Sequence, residues 1–275
     1  MSNNIFFERG QMADKPNNYL WNGDCLELMK HIPDKSMDAI ICDLPYGTTA
    51  CKWDSVIPFE PLWEQYKRII KDNGAIVLFG SQPFTSALIS SNYKMFRYEW
   101  IWQKNIPTGF TMAKTSPMKL HENIIVFSNG KLTYNTKGNY LKFNPQKTKR
   151  EKPIKGYAVK SDFLNDTTFD KKERVYTHKN PVSIIEYKKV KNGLHPSEKP
   201  LDLIAYLVET YTNENDWVLD NTCGSNTTGI ACYDLNRNYI GIEKDIDIYK
   251  VAKKRMEKNI LLRANKPKTL FDDRP

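Results

Sequence analysis

Two short stretches carry the residues best suited to chemistry. Asp220-Asn221-Thr222-Cys223-Gly224-Ser225-Asn226-Thr227-Thr228-Gly229 separates a strand-like run from a helix-like one, the place where parallel α/β sheets hold their ligands. Gly224 lets the backbone approach a ligand closely, and Asn226 tolerates the left-handed conformation that such turns often need. Gly229 is followed by Ile230 and not by Lys-Ser/Thr, which disfavours a triphosphate-cradling loop. Twenty-three residues after Asp220, at the end of the next strand-like run, stands Glu243, placed like the acid that takes two ribose hydroxyls in nucleoside-binding sheets. Loop and acid together indicate a nucleoside-containing ligand. The second stretch, Asp43-Leu44-Pro45-Tyr46-Gly47, directly follows the apolar run of residues 38–42; on its own it reads as a turn with an extended residue before proline.

These loops need elements to hold them, and hydrophobic periodicity supplies a series. Residues 38–42 and 74–80 are continuous apolar runs of buried-strand type. Residues 97–103 and 123–127 are strand segments rich in aromatic and β-branched side chains, and 217–220 and 239–243 are two more. Helical spacing marks 62–70, 84–89, 227–235 and 246 to about 261, while 201–211 is apolar at 201, 203, 204, 207, 208 and 211. Strands alternating with helices predict an α/β fold of Rossmann-like, doubly wound type, with a mainly parallel sheet and helices on both faces. From Gly130 to about Asn192 the period dissolves into Lys, Asn, Thr and Tyr, so this stretch reads as an insertion between two halves of one domain.

Composition sharpens that division. The chain has 275 residues and a formal charge of +9, enough length for one domain with a large insertion. Residues 131–191 hold 16 Lys/Arg against 6 Asp/Glu, leaving 25 against 26 in the other 214. A basic segment in an otherwise balanced chain suggests a polyanion-binding patch. Eight aromatics, Tyr134, Tyr140, Phe143, Tyr157, Phe163, Phe169, Tyr176 and Tyr187, interleave with the cations, more than a purely disordered tract carries. Lys147, Lys149, Arg150, Lys152 and Lys155 are the candidate contacts to the phosphates of such a polyanion. A mean hydropathy of −0.60 and the lack of a long apolar run exclude a membrane span. The five cysteines, Cys25, Cys42, Cys51, Cys223 and Cys232, form no C-x-x-C pair, and residues 1–15 contain no apolar leader core; both point to reduced thiols and a cytoplasmic protein. His31, His121, His178 and His195 are scattered without metal-ligand spacing, so no metal is expected.

The Asp43-Leu44-Pro45-Tyr46 loop resembles the D-P-P-Y motif of β-group DNA amino-methyltransferases. Further segments match in the order that group follows: Asn22-Gly23-Asp24-Cys25-Leu26, Lys71-Asp72-Asn73-Gly74, 98–104, 121–127, His195-Pro196-Ser197-Glu198-Lys199-Pro200 (similar to H-P-x-x-K-P), the glycine loop, and 239–243. The resemblance covers roughly 18–130 and 192–258. It implies a site-specific enzyme that moves a methyl group from S-adenosylmethionine to the N6 amine of a flipped-out adenine. Cytosine-N4 methylation is the nearest alternative, although Ser more often replaces Asp43 for that reaction; a non-catalytic nucleic-acid-binding subunit is the other. The resemblance assigns the catalytic loop to Asp43, Leu44, Pro45 and Tyr46, with the Asp43 carboxylate and the Leu44 carbonyl accepting the amine hydrogens, so that leucine in place of proline keeps the acceptor. It assigns the cofactor to Asp24, Cys25, Lys199, Asp220, Thr222, Cys223, Gly224, Ser225, Asn226, Thr227 and Glu243. Asn226 stands where the family usually has a second glycine, and asparagine is the non-glycine residue best suited to positive φ.

The implied organisation is an N-terminal arm (1–18), a catalytic half (19–130), a basic target-recognition insert (131–191), a cofactor-binding half (192–262) and a tail (263–275). DNA is the expected partner, and no membrane is. A homodimer and a cognate restriction endonuclease stay open as further partners.

Overall fold

Short apolar runs that end in loops at one edge become the centre of a mixed sheet in the computed structural model, which describes residues 17–48, 54–132, 138–156, 174–191, 193 and 198–264. Ten strands and six helices follow in chain order: β1 (Asn18–Asn22), α1 (Cys25–Leu28), β2 (Met37–Cys42), α2 (Phe59–Ile69), β3 (Ile70–Gly80), α3 (Phe84–Ser91), β4 (Phe96–Thr108), β5 (Lys119–Phe127), β6 (Thr148–Gly156), β7 (Arg174–Lys179), β8 (Ile184–Glu186), α4 (Leu201–Tyr211), β9 (Trp217–Asp220), α5 (Thr227–Asp234), β10 (Asn238–Glu243) and α6 (Ile246–Ala264). Eight strands form one sheet in the order β1-β10-β9-β2-β3-β5-β4-β8, and among the described residues β6 pairs only with β7. Every pairing from β1 to β3 is parallel, as is β4 with β8, while β5 is antiparallel to both neighbours. The mainly parallel sheet therefore carries one reversed strand.

The core has two layers because side chains alternate across each strand. Ala39, Ile41, Val77, Trp100 and Trp102 share one layer with α4 and α5, whereas Ile40, Cys42, Leu78, Phe127 and Ile240 share the other with α2 and α3. Helix α4 buries Leu203, Ile204, Leu207, Val208 and Tyr211, the stripe that its spacing predicts. Cys25, Cys42, Cys223 and Cys232 are free and buried.

The basic segment is less separate than its composition suggests. Leu141 is buried, Phe143 stacks on Trp100 at 6.3 Å, and a Cβ on Gly130 would lie 2.4 Å from the Leu141 nitrogen, so only glycine admits this crossing. Lys142 Nζ bridges Asp38 (2.9 Å) and Asp216 (2.6 Å) at the opposite edge of the sheet from the chemistry-bearing loops. Further on, β8 joins the main sheet, and Trp102 Nε1 donates to the Tyr187 carbonyl at 2.9 Å. Residues 138–144 and 184–187 thus pack with the large sheet, and the β6–β7 hairpin is what stands apart. The aromatics Tyr134, Tyr157, Phe163 and Phe169 lie outside the described residues, as do His195, Pro196 and Ser197.

Candidate active site

Topology places the site before any side chain is considered. Strands β2 and β9 are parallel neighbours, Ala39 opposite Val218 and Ile40 opposite Leu219, yet β2 leads on to β3 at one side and β9 to β10 at the other. The loops leaving their carboxyl ends diverge, and a crevice opens between them, as expected at a topological switch point. Those loops are 43–48 and 221–226. Because β5 runs against its neighbours, its beginning, with Glu122, lies at the same edge as the end of β4, with Lys104.

The Asp43 loop is fixed from three sides. Leu44 is 3% exposed and packs into the α2–α3 layer, which gives an apolar side chain a reason to occupy this position. The Asp54 carboxylate accepts from three successive amides, those of Tyr46 (2.8 Å), Gly47 (2.9 Å) and Thr48 (2.9 Å). Thr222 Oγ1 donates to the Asp43 carbonyl at 3.0 Å and lies 2.9 Å from Cys42 Sγ, tying the two loops together. Tyr46 stacks on Phe84 at 5.0 Å.

Asp43 itself sits in a chain of four charges. Its Oδ1 accepts from the Tyr46 hydroxyl and its Oδ2 from Lys199 Nζ, each at 2.6 Å. Lys199 Nζ also lies 3.3 Å from Glu122 Oε2, while Lys104 Nζ donates to Glu122 Oε1 at 3.2 Å. Two ammoniums thus alternate with two carboxylates in a largely desolvated row. Burial raises the Asp43 carboxyl above its ordinary value, and Lys199 and Tyr46 offset only part of that. Burial also pulls Lys199 toward deprotonation, but the two carboxylates outweigh it and hold the ammonium above its usual range. For Glu122 the flanking lysines overcome burial and keep the carboxyl low. Of the two carboxyls, Asp43 is the one that burial raises and Glu122 the one that the lysines lower.

At the other end of the crevice the glycine loop turns sharply. Gly224 (φ 51°) and Asn226 (φ 67°) are both left-handed, and the space a Cβ would occupy on Gly224 is open to 4 Å. Glu243 Oε2 accepts from the Gly224 amide (3.0 Å) and Oε1 from the Asp245 amide (2.9 Å), so backbone amides orient the carboxylate and leave further lone pairs. Asp220 is buried, accepts from Thr228 Oγ1 at 2.7 Å, and is pushed up to about 7 by that burial. Asp24 caps α1 through the Leu26 amide (2.9 Å) and pairs with Lys244 (3.0 Å).

One cavity of about 780 Å³ runs past both ends, lined by Asp43, Tyr46, Glu122 and Lys199 on one side and by Asp24, Cys25, Gly224, Ser225, Thr227 and Glu243 on the other. Asp220, Thr222 and Cys223 line the middle. Asn226 is 1% exposed and does not face the cavity; its side chain lies against Gly229 and shapes the turn. Lys199 stands at the Asp43 end and not beside Glu243. The five expected phosphate contacts are elsewhere: Lys149, Arg150, Lys152 and Lys155 lie on β6, and Lys147 just before it.

Glu122, Lys104, Asp54 and Arg255 had no assigned role from sequence. Arg255 of α6 reaches the Ser225 carbonyl (3.1 Å) and Glu198 (2.8 Å), clamping the glycine loop to the segment that carries Lys199. The signal for two of them was strand parity: Trp100, Trp102 and Lys104 share one face of β4, and Glu122, Ile124 and Val126 one face of β5, so both charges had to point where a core was expected.

Residues 37–254 match the family model N6_N4_Mtase, a DNA methylase family. The chain is similar to Type II methyltransferase M2.MboI of Moraxella bovis, 27% identical over 270 residues that cover 88% of this chain and 89% of that protein. It is also similar to Type II methyltransferase M.HinfI of Haemophilus influenzae, 28% identical over 268 residues, covering 87% and 68%. Among solved structures, the M1.HpyAVI–SAM complex is similar with a TM-score of 0.56 and 25% identity, covering 86% of this chain and 99% of that one. PvuII DNA methyltransferase, cytosine-N4-specific, is similar in fold alone, with a TM-score of 0.62 and 15% identity over 93% and 96%.

Proposed function

The chain belongs to the N6_N4_Mtase family of DNA methylases, and from that premise we propose that it methylates the N6 amine of an adenine flipped out of DNA. Family membership makes it an S-adenosylmethionine-dependent DNA methyltransferase; adenine is the finer reading. The observation that carries the proposal is the single cavity joining the Asp43–Tyr46 loop to the Gly224–Glu243 pair.

The residues fit the cofactor. Glu243 presents an oriented carboxylate for the ribose hydroxyls, the open face of Gly224 lets the backbone approach, and Asp220 to Ser225 line the stretch leading toward Asp43, with Asp24, Cys25 and Thr227 completing the wall. Bound there, S-adenosylmethionine supplies an electrophilic methyl group. An exocyclic amine is a poor nucleophile because its lone pair is delocalised into the ring. Asp43 and the Leu44 carbonyl accept its two hydrogens and hold the geometry in which the lone pair points along the cavity. Each Asp43 oxygen keeps a second lone pair beside its present partner, and its raised basicity suits it to take the proton that the alkylated amine sheds. Tyr46 offers the base a stacking face, worth roughly 1–3 kcal/mol against a flipping cost of a few kcal/mol. Lys199 acts as a positioning residue that keeps Asp43 ionised and aimed. Catalysis is then largely orientation, and no covalent nucleophile is needed.

Phosphate contacts are proposed for Lys147, Lys149, Arg150, Lys152 and Lys155. The Type II relatives support a cognate restriction endonuclease as counterpart, and a homodimer is tested by sedimentation. The experiment for the main reading combines labelled cofactor, unmethylated genomic DNA and long-read sequencing of the modified positions. Asp43→Ala is expected to abolish transfer while calorimetry still detects cofactor binding, and Glu243→Ala to lose that binding. Turnover by Asp43→Ala would refute the assignment, and modified cytosines would replace adenine by cytosine-N4.

A further inference from the structure

The hairpin between β4 and β5 exposes apolar side chains beside the cavity mouth. Phe110 is 80% exposed, the most of any large hydrophobic among the described residues, and Met112 is 58% exposed. Neither belongs to a core layer. Regular structure holds them outward: Gly109 is left-handed (φ 89°), residues 110–112 form one turn of 3₁₀ helix, and the amides of Thr115 and Ser116 both donate to the Met112 carbonyl, at 2.9 and 3.0 Å. At its base the hairpin is part of the site. Lys104, Thr108 and Glu122 line the cavity, and Lys119 Nζ donates to Ser81 just beyond the end of β3. Lys104 is buried against Glu122, and between the two the hairpin carries Lys114 and Lys119 and no acidic residue.

Exposed phenylalanine and methionine on a tip that carries Lys114 and no acidic residue suit a polyanion with an apolar interior, which is what a stacked duplex is. Apolar wedges of this kind enter base steps and part them, and a base that leaves the stack leaves a space to fill. Resting on the methyl-transfer reading above, we infer that this hairpin enters the duplex beside the target base and that Phe110, flanked by Met112, occupies the stack position the flipped base vacates.

The test uses the full chain, the site identified by sequencing, and two oligonucleotide duplexes in which the target base is either paired or mispaired. A mispaired base flips at lower cost, so it needs the wedge less. Phe110→Ala is expected to slow methylation about tenfold on the paired duplex and less than about threefold on the mispaired one, with an unchanged melting temperature, while Phe110→Trp retains the wild-type rate. Equal losses on both duplexes, or none on either, would overturn the inference. So would equal losses accompanied by a shift from dimer to monomer, which would make the tip a contact between copies. Wild-type protein that methylates neither duplex nor genomic DNA would instead defeat the methyl-transfer reading on which this rests.

Discussion

Asp43, Glu122, Lys199 and Lys104 form a row in which each charge is tolerable only because of its neighbours. Glu122→Gln keeps the shape and leaves two buried ammoniums facing one carboxylate. The expected cost is roughly 3 kcal/mol of stability, together with a fall in methylation rate while cofactor affinity by calorimetry stays within about twofold. Partial rescue by Glu122→Asp would distinguish positioning from mere packing. Asp220 is a different case, since among the described residues no cation offsets its burial and its pKa is pushed up to about 7. Below about pH 4 both folded and unfolded chains hold this proton, and the group costs nothing. Between about pH 4 and 7 the unfolded chain sheds the proton while the folded one keeps it, so stability falls as pH rises, and above 7 the full loss is about 4 kcal/mol. Asp220→Asn removes this titration. Thermal melts from pH 4 to 8 should show a flatter profile for the variant, and identical slopes would refute the assignment.

The loop at 43–48 is the element on which the site depends most, and Asp54 organises it by taking three consecutive amides. Asp54→Ala is expected to cost about 2 kcal/mol and to slow methyl transfer by about tenfold or more through misplacement of Asp43, with cofactor binding retained. Unchanged turnover would mean that the loop holds its shape without this cap. The sequence made the apolar elements legible because each carries its own period: α4 and β9 have the bounds read from residue pattern alone, and β2 and β10 differ by one residue at the start. Elements whose pairing supplies the order were not legible. Strand β8 is three residues long and exists because β4 offers it an edge, β1 is only partly apolar, and β6 and β7 are exposed along nearly their whole length, so no apolar alternation marks them. Asp54 lay in a loop without a pattern, and its role depends on a chain reversal that local spacing does not encode. The two active-site charges on β4 and β5 were readable from parity but not as a pair, because 18 residues and a reversed strand separate them.

Across the whole molecule the charge is divided by place. The segment 131–191 carries the excess, and within it the cations on β6 and β7 stand on a two-stranded sheet whose strands are exposed along nearly their whole length. A hairpin without a buried face is marginal in water, so a polyanion that neutralises it would also steady it. Affinity for DNA should fall with salt by about 0.9 log units per log unit of salt for each phosphate neutralised. Replacing Lys147, Lys149, Arg150, Lys152 and Lys155 with alanine should flatten that slope by up to about 4.5, as read by anisotropy on one duplex over a salt series. An unchanged slope would move the phosphate contacts elsewhere.

Asn144 donates through its side-chain amide to the C-terminal end of α4 and the turn beyond it, at 3.1 Å to the Glu209 carbonyl and 2.9 Å to that of Thr212, and β8 returns the chain to the sheet. These two clasps bracket the hairpin as a frame brackets a replaceable panel. Both clasps hold the chain to the main sheet and its helices, so the hairpin is tethered at each end while its strands stay exposed.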